Sequence, residues 1–137
     1  MREEGIGEPA LKGDILYTGT ERKGRLFIRL LLLSQGHDIV CLLTGGMPHI
    51  GAVAVQFTGE EGKSIVKAGH REGDISLSAA RALSNAFDCT VTVLCGIHFD
   101  AISKNEIDDV LFLASNLVND AIQSVSFDRK SSGHIIT

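Results

Sequence analysis

The sequence has no tryptophan and a single tyrosine, Tyr17, and aromatic residues make up only 5 % of its 137 positions. It therefore offers no run of aromatic faces on which single-stranded nucleic acid would stack. Basic residues are in the minority as well. Thirteen lysines and arginines stand against 17 aspartates and glutamates, giving a formal net charge of -4. General nucleic-acid binding leaves a basic footprint that this balance does not supply. Cysteine is scarce: Cys41, Cys89 and Cys95 are odd in number and form no C-x-x-C. That argues against a disulfide framework or a zinc ribbon, and buried free thiols are expected instead. Long apolar runs are missing too. A stretch such as Leu30 to Leu33 falls far short of the roughly 20 residues a membrane-spanning helix needs. The opening MREEGIGEPALKGD lacks the apolar centre of a signal peptide. The expectation is a cytoplasmic protein with neither a membrane nor a nucleic acid as partner.

What is present fits one globular domain. Apolar residues make up 44 % of the chain, the mean hydropathy is +0.16, and this length supports a real core. Residues 1–24 carry six glycines and prolines and few apolar side chains, which reads as a flexible leader with a short strand around Asp14 to Thr18. Residues 25–125 read as a single α+β domain and 126–137 as a polar tail. RLFIRLLLL (Arg25 to Leu33) and DIVCLL (Asp38 to Leu43) flank the turn Ser34-Gln35-Gly36-His37 and read as an antiparallel hairpin. Ile50 to Phe57 and CTVTVLCGI (Cys89 to Ile97) alternate as strands, and Ser64 to Lys67 is a short strand candidate.

Two helices are expected. The first runs from a cap at Asp74 or Ser76, with Leu77, Ala80, Leu83, Ala86 and Phe87 at helical spacing, to Asp88. The second opens on the S-x-x-E capping box Ser103 to Glu106 and carries a long apolar stripe from Ile107 to Ile122. The fold class that follows is α+β, a mostly antiparallel sheet with two amphipathic helices on one face. The early strands are apolar on both faces, so a homodimer covering the other face is expected.

Three histidines stand at element edges, each near glycine. His49 lies in GGMPHIGAVAV (Gly45 to Val55), His70 in GHREGD before the first helix, and His98 in GIHFD at the end of a strand. Loop edges on a rigid scaffold are where binding groups collect. His98 and Asp100, two apart, point the same way in an extended chain. Imidazoles with a carboxylate suit a divalent metal, which makes His49, His98 and Asp100 a candidate ligand set. The glycine-rich approach to the first helix, with Arg71 nearby, suits an anion. Glu72 and Asp74 qualify as general bases by residue type, but no nucleophile is paired with them. No H-E-x-x-H, Walker loop or G-x-S-x-G occurs.

GGMPHIGAVAV, GHREGDISLSAARAL and CGIHFDAISKNEIDDV, in this order over Leu43 to Ala121, resemble the small D-subunit proteins that accompany gallate-type, non-oxidative hydroxyarylic acid decarboxylases. The resemblance implies a non-catalytic accessory protein that binds prenylated flavin mononucleotide and helps to supply it to the large decarboxylase subunit. The residues it carries over are Gly45, Gly46, Pro48, His49, Gly51, His70, Gly96, His98 and Asp100. Arg71 is a plausible phosphate donor beside them, and a divalent metal held by His and Asp is a candidate bridge to the flavin phosphate. Two other readings remain open on the residues alone. One is a small metal-dependent enzyme built on His49, His70, His98 and Asp100. The other is an assembly subunit that binds no small molecule.

Overall fold

The computed structural model describes residues 14–136, with side chains through residue 126. Six strands form one sheet: β1 (Ile15–Lys23), β2 (Leu26–Gln35), β3 (Asp38–Gly46), β4 (Ala52–Gln56), β5 (Lys63–Val66) and β6 (Val91–His98). Their spatial order is β1-β2-β3-β6-β4-β5. Every neighbouring pair is antiparallel except β3 and β6, which run parallel. Helix α1 (Gly73–Phe87) and helix α2 (Lys104–Ile136) complete the α+β fold.

The first hairpins are built alike. Lys23 pairs with Leu26 across Gly24-Arg25, and Gln35 pairs with Asp38 across Gly36-His37. Gly24 and Gly36 open the two turns at φ +59° and +61°, a conformation glycine adopts at no steric cost. The first hairpin changes the reading of the leader. A short strand around Asp14 to Thr18 was expected there, whereas β1 continues to Lys23. Its sequence, ILYTGTERK, is weakly patterned because an edge strand buries little. Tertiary contacts hold it: the Tyr17 hydroxyl donates to Asp120 Oδ2 on α2 at 2.6 Å, and Lys23 Nζ lies 2.9 Å from Asp109 Oδ1.

The core lies between the sheet and the helices. Alternate residues of the central strands face it: Leu26, Ile28, Leu30 and Leu32 on β2, Ile39, Cys41 and Leu43 on β3, and Val91, Val93 and Cys95 on β6. Leu83 of α1 and Leu113, Leu117 and Ala121 of α2 close it from the other side. Each fully buried leucine contributes about 1.5–3 kcal/mol of transfer free energy. The cysteines Cys41, Cys89 and Cys95 are buried, as expected. Desolvation, chiefly, pushes the Cys95 thiol up to about 12 and raises that of Cys41 as well.

The helix ends show one expectation met and one revised. Ser103 and Glu106 form the full capping box: the Glu106 N–H donates to Ser103 Oγ and the Ser103 N–H donates to Glu106 Oε1, both at 3.1 Å. At α1 the helix begins earlier than Asp74 or Ser76 would set it, with Glu72 in the N-cap position and no side-chain cap bond. Ser76 is buried and donates to the Gly73 carbonyl at 2.9 Å. The Glu72 carboxylate is turned away from the helix toward the loops. Asp88 ends α1 in the left-handed conformation, φ 53°. Helix α2 continues to Ile136, past the expected end near Val125.

The opposite face of the sheet carries an apolar row. Leu31, Leu42, Leu94, Val53 and Ile65 sit in register across β2, β3, β6, β4 and β5. The first four are half-buried, and Ile65 is 76 % exposed.

Candidate functional site

The site forms where three connections meet at the C-terminal end of β6. After β3, residues 47–51 lie across β6: the Met47 N–H donates to the His98 carbonyl at 3.2 Å and the Gly51 N–H donates to the Cys95 carbonyl at 2.8 Å. Two glycines permit this close approach. A Cβ on Gly96 would collide with the His49 carbonyl oxygen, and one on Gly51 would come within 2.5–2.6 Å of both Glu72 carboxylate oxygens and His70 Nδ1. The loop that follows β5 is tied to the same place. The Lys67 N–H donates to the Gly51 carbonyl at 2.8 Å and the His70 N–H to the Lys67 carbonyl at 2.9 Å.

At the centre lies Glu72, only 7 % exposed. Its Oε2 accepts from the Ile97 backbone N–H at 3.0 Å and lies 2.9 Å from His49 Nε2. Its Oε1 lies 3.2 Å from His70 Nδ1. Among the described residues its ion-pair partners are these two imidazoles, with no lysine or arginine. Burial by itself raises the carboxyl. The Ile97 N–H, the His49 contact, its own backbone N–H and the nearby His70 together outweigh burial and hold it below the usual carboxylate range. Glu72 is therefore an ionised carboxylate at the foot of a helix, where the positive end of the peptide dipoles favours it.

The structure brings some of the sequence candidates together and leaves others apart. The His49 and His70 rings lie 5.1 Å apart, centroid to centroid. The His98 ring is 6.5 Å from that of His49, and His98 Nε2 contacts Asp100 Oδ1 at 3.0 Å. That pair is open to solvent, with side chains 54 % and 94 % exposed. Arg25 braces the turn beneath it by donating to the Asp100 carbonyl at 2.8 Å, and Ala101 follows at φ 51°. Among the described residues, the set whose ligand atoms converge is His49, His70 and Glu72, all within 4.8 Å of one another. His98 and Asp100 stand outside it. Gly45 faces the core, where a Cβ would meet Ile28 Cδ1 at 2.7 Å. Gly46, at φ +66°, abuts the His98 carbonyl, and Pro48 is exposed at the loop. Glu72 is the residue that the sequence left without a role in binding. The signal for it was the His-x-Glu spacing of His70 and Glu72, which in an extended approach puts both side chains on one side.

Beside this cluster opens a cavity of about 340 Å³, within the ~300–1,000 Å³ typical of small-molecule sites. Arg71 and Glu72 border it, and Ile75, Ile97, Ile102, Ile107, Val110 and Leu111 give it apolar walls. Arg71 is exposed. A second cavity continues along the seam between α1 and α2, sharing Asp74, Ile75 and Leu111.

The family model of the prenylated flavin chaperone LpdD-like domain matches residues 22–126. The chain belongs to this chaperone family. A comparison with curated proteins finds no match. Among solved structures, the chain is similar to one in the crystal structure of a novel chaperone complex for yeast 20S proteasome assembly. The two share 8 % identity, the match covers 82 % of this chain and 98 % of that one, and the TM-score is 0.54. At that identity the likeness shows the fold. No helix among the described residues is long and apolar enough to cross a membrane.

Proposed function

We propose that this chaperone-family protein binds prenylated flavin mononucleotide without transforming it and supplies it to a prenyl-flavin-dependent hydroxyarylic acid decarboxylase, as a homodimer in the cytoplasm. The observation that carries the reading is the continuity of an apolar cavity with a polar, histidine-rich rim through Arg71 and Glu72. Such a surface suits a planar, prenyl-extended ring system with a phosphate at one end. The isoleucine-lined wall fits the rings by dispersion and desolvation, and a guanidinium at the rim recognises a phosphate. In this reading the ligand is held by the loop of Pro48, His49 and Gly51, which Gly45 and Gly46 launch from the end of β3, by His70 and Arg71, and by Gly96, His98 and Asp100. The flavin ring carries the decarboxylation chemistry in the partner enzyme, and this chain's residues bind and orient it.

Anaerobic titration with reduced prenylated flavin mononucleotide, with flavin mononucleotide as control, tests the proposal. Saturable binding of the prenylated form is expected, weakened by Ile107→Asp in the apolar wall and by Arg71→Ala at the rim. Absence of binding in the wild-type protein would remove the flavin reading and leave a docking role. Turnover of a small substrate at rates lost with His49→Ala would favour the enzyme reading instead.

A further inference from the structure

His49 poses a chemical problem that the flavin reading does not solve. Its Nδ1 lies 3.0 Å from the Met47 carbonyl oxygen and its Nε2 lies 2.9 Å from Glu72 Oε2. Both neighbours are acceptors. A neutral imidazole has one N–H and cannot satisfy both. A metal cation between Nε2 and the carboxylate would satisfy both neighbours.

The Met47 carbonyl is the kind of partner that fixes a ligating histidine. It accepts the Nδ1 proton and leaves the Nε2 lone pair directed outward. That lone pair faces Glu72, which also faces His70 Nδ1. A phosphate placed on these imidazoles would meet the Glu72 carboxylate already seated against both of them. A divalent cation reverses that repulsion and gives the carboxylate a counter-charge.

We propose that His49, His70 and Glu72 form a first-row divalent transition-metal site whose remaining coordination positions accept a phosphate monoester oxygen. Two imidazole nitrogens and one carboxylate oxygen match the donor set of open, three-ligand zinc-type sites. Bonds of about 2.0–2.1 Å in tetrahedral geometry set ligand atoms roughly 3.3–3.5 Å apart. The two imidazole–carboxylate contacts, 2.9 Å to Oε2 and 3.2 Å to Oε1, reach different oxygens, and with the three ligand atoms within 4.8 Å of one another an ion draws the set together by roughly an ångström. Gly51 keeps the space beside the Glu72 carboxylate and His70 Nδ1 clear of a side chain. The Ile97 N–H holds Glu72 Oε2 at 3.0 Å, so the carboxylate is oriented before metal arrives. The ligand set differs from His49, His98 and Asp100 in drawing on the buried carboxylate rather than the solvated one. The metal site stands on its own geometry, and the phosphate part rests on the flavin reading.

The test begins with cobalt(II) and zinc(II) titration of the wild-type protein in phosphate-free buffer, followed by visible absorption of the cobalt form. One equivalent is expected to bind with micromolar or tighter affinity. The near-isosteric Glu72→Gln and the His70→Ala variant should each weaken it by at least about tenfold, whereas His98→Ala should change it less than about twofold. Failure of the wild-type protein to bind either ion stoichiometrically overturns the site, as does binding indifferent to Glu72→Gln. Inorganic phosphate added to the cobalt form should shift its d–d bands, and an unshifted spectrum overturns the phosphate part. Reduced prenylated flavin is titrated separately with and without metal. Metal binding without flavin binding would keep the site and refute the flavin reading. Flavin binding without metal binding would do the reverse.

Discussion

Replacing Gly96 by alanine tests whether the site depends on one backbone laid against another. A Cβ at this position would collide with the carbonyl oxygen of His49 and would stand 3.1 Å from His49 Nδ1. The first obstacle is backbone, so no rotamer change relieves it. The 47–51 connection must lift from β6. Two hydrogen bonds hold that connection down, Met47 N–H to the His98 carbonyl and Gly51 N–H to the Cys95 carbonyl. Their loss costs about 0.5–1.5 kcal/mol each, or roughly 1–3 kcal/mol together. Alanine offsets about 0.4–1 kcal/mol of this by restricting the unfolded chain. A net loss of roughly 1–2 kcal/mol should lower Tm by roughly 3–8 °C in a domain of this size. Calorimetry gives the shift, and imidazole resonances show whether His49 has left Glu72. A Tm within about 1 °C of wild type, with unmoved His49 resonances, would refute the argument. It would mean that the loop does not rest on β6 as described.

Further outcomes follow from other parts of the fold. The Arg25 side-chain hydrogen bonds and the Ser103 N–H hold Glu106 at about 2, against an ordinary 4.5. Its folded-state pKa is depressed, so its contribution to stability is full above about pH 4.5 and is lost as pH falls toward 2. Glu106→Gln should therefore lower the urea midpoint at pH 7, and the gap to wild type should narrow at pH 3. Cys41, Cys89 and Cys95 are buried, and an aromatic disulfide reagent should label them only after denaturant is added; rapid native labelling would contradict their burial. If a second copy covers the row of Leu31, Leu42, Leu94, Val53 and Ile65, Leu42→Glu should give a folded monomer. Sedimentation of the wild-type protein as a monomer at micromolar concentration would remove the dimer.

The sequence made the regular elements legible where burial is one-sided. β6 reads directly from Val91, Val93, Cys95 and Ile97 against Thr90, Thr92 and Leu94, because one face meets the core and the other does not. The start of α2 is readable because its capping box is local chemistry between Ser103 and Glu106. β1 was less visible for the opposite reason. Its hold on the fold comes from β2 and from Asp109 and Asp120 on α2, some 86 and 103 residues away in sequence. The parallel pairing of β3 with β6 is non-local in the same way. At the site, local sequence marked the glycine-flanked histidines but could not rank them. His49 and His70 are 21 residues apart in sequence, and they meet only in the folded chain, through the Lys67 N–H bond to the Gly51 carbonyl and the shared carboxylate of Glu72.

That carboxylate bears on the choice between holding a ligand and transforming one. A general base needs a free oxygen within reach of the proton it takes. Glu72 has Oε2 engaged by the Ile97 N–H and beside His49, and Oε1 beside His70. It also lies at the floor of the loops, 7 % exposed, while the exposed rim is formed by Arg71, His98 and Asp100. The arrangement places the fixed charge beneath and the adaptable contacts above. That order suits a carrier, because a ligand held through rim contacts and an apolar wall leaves without breaking the buried hydrogen bonds that keep the site in shape. The same order predicts how variants divide. Changes at Arg71 should alter ligand affinity with little effect on stability, whereas changes at Gly51 or Gly96, whose missing side chains let the loops close on Glu72 and on β6, should lower both together. A survey of ligand affinity against Tm across these three positions would show the division, and equal loss of stability at Arg71 would contradict it.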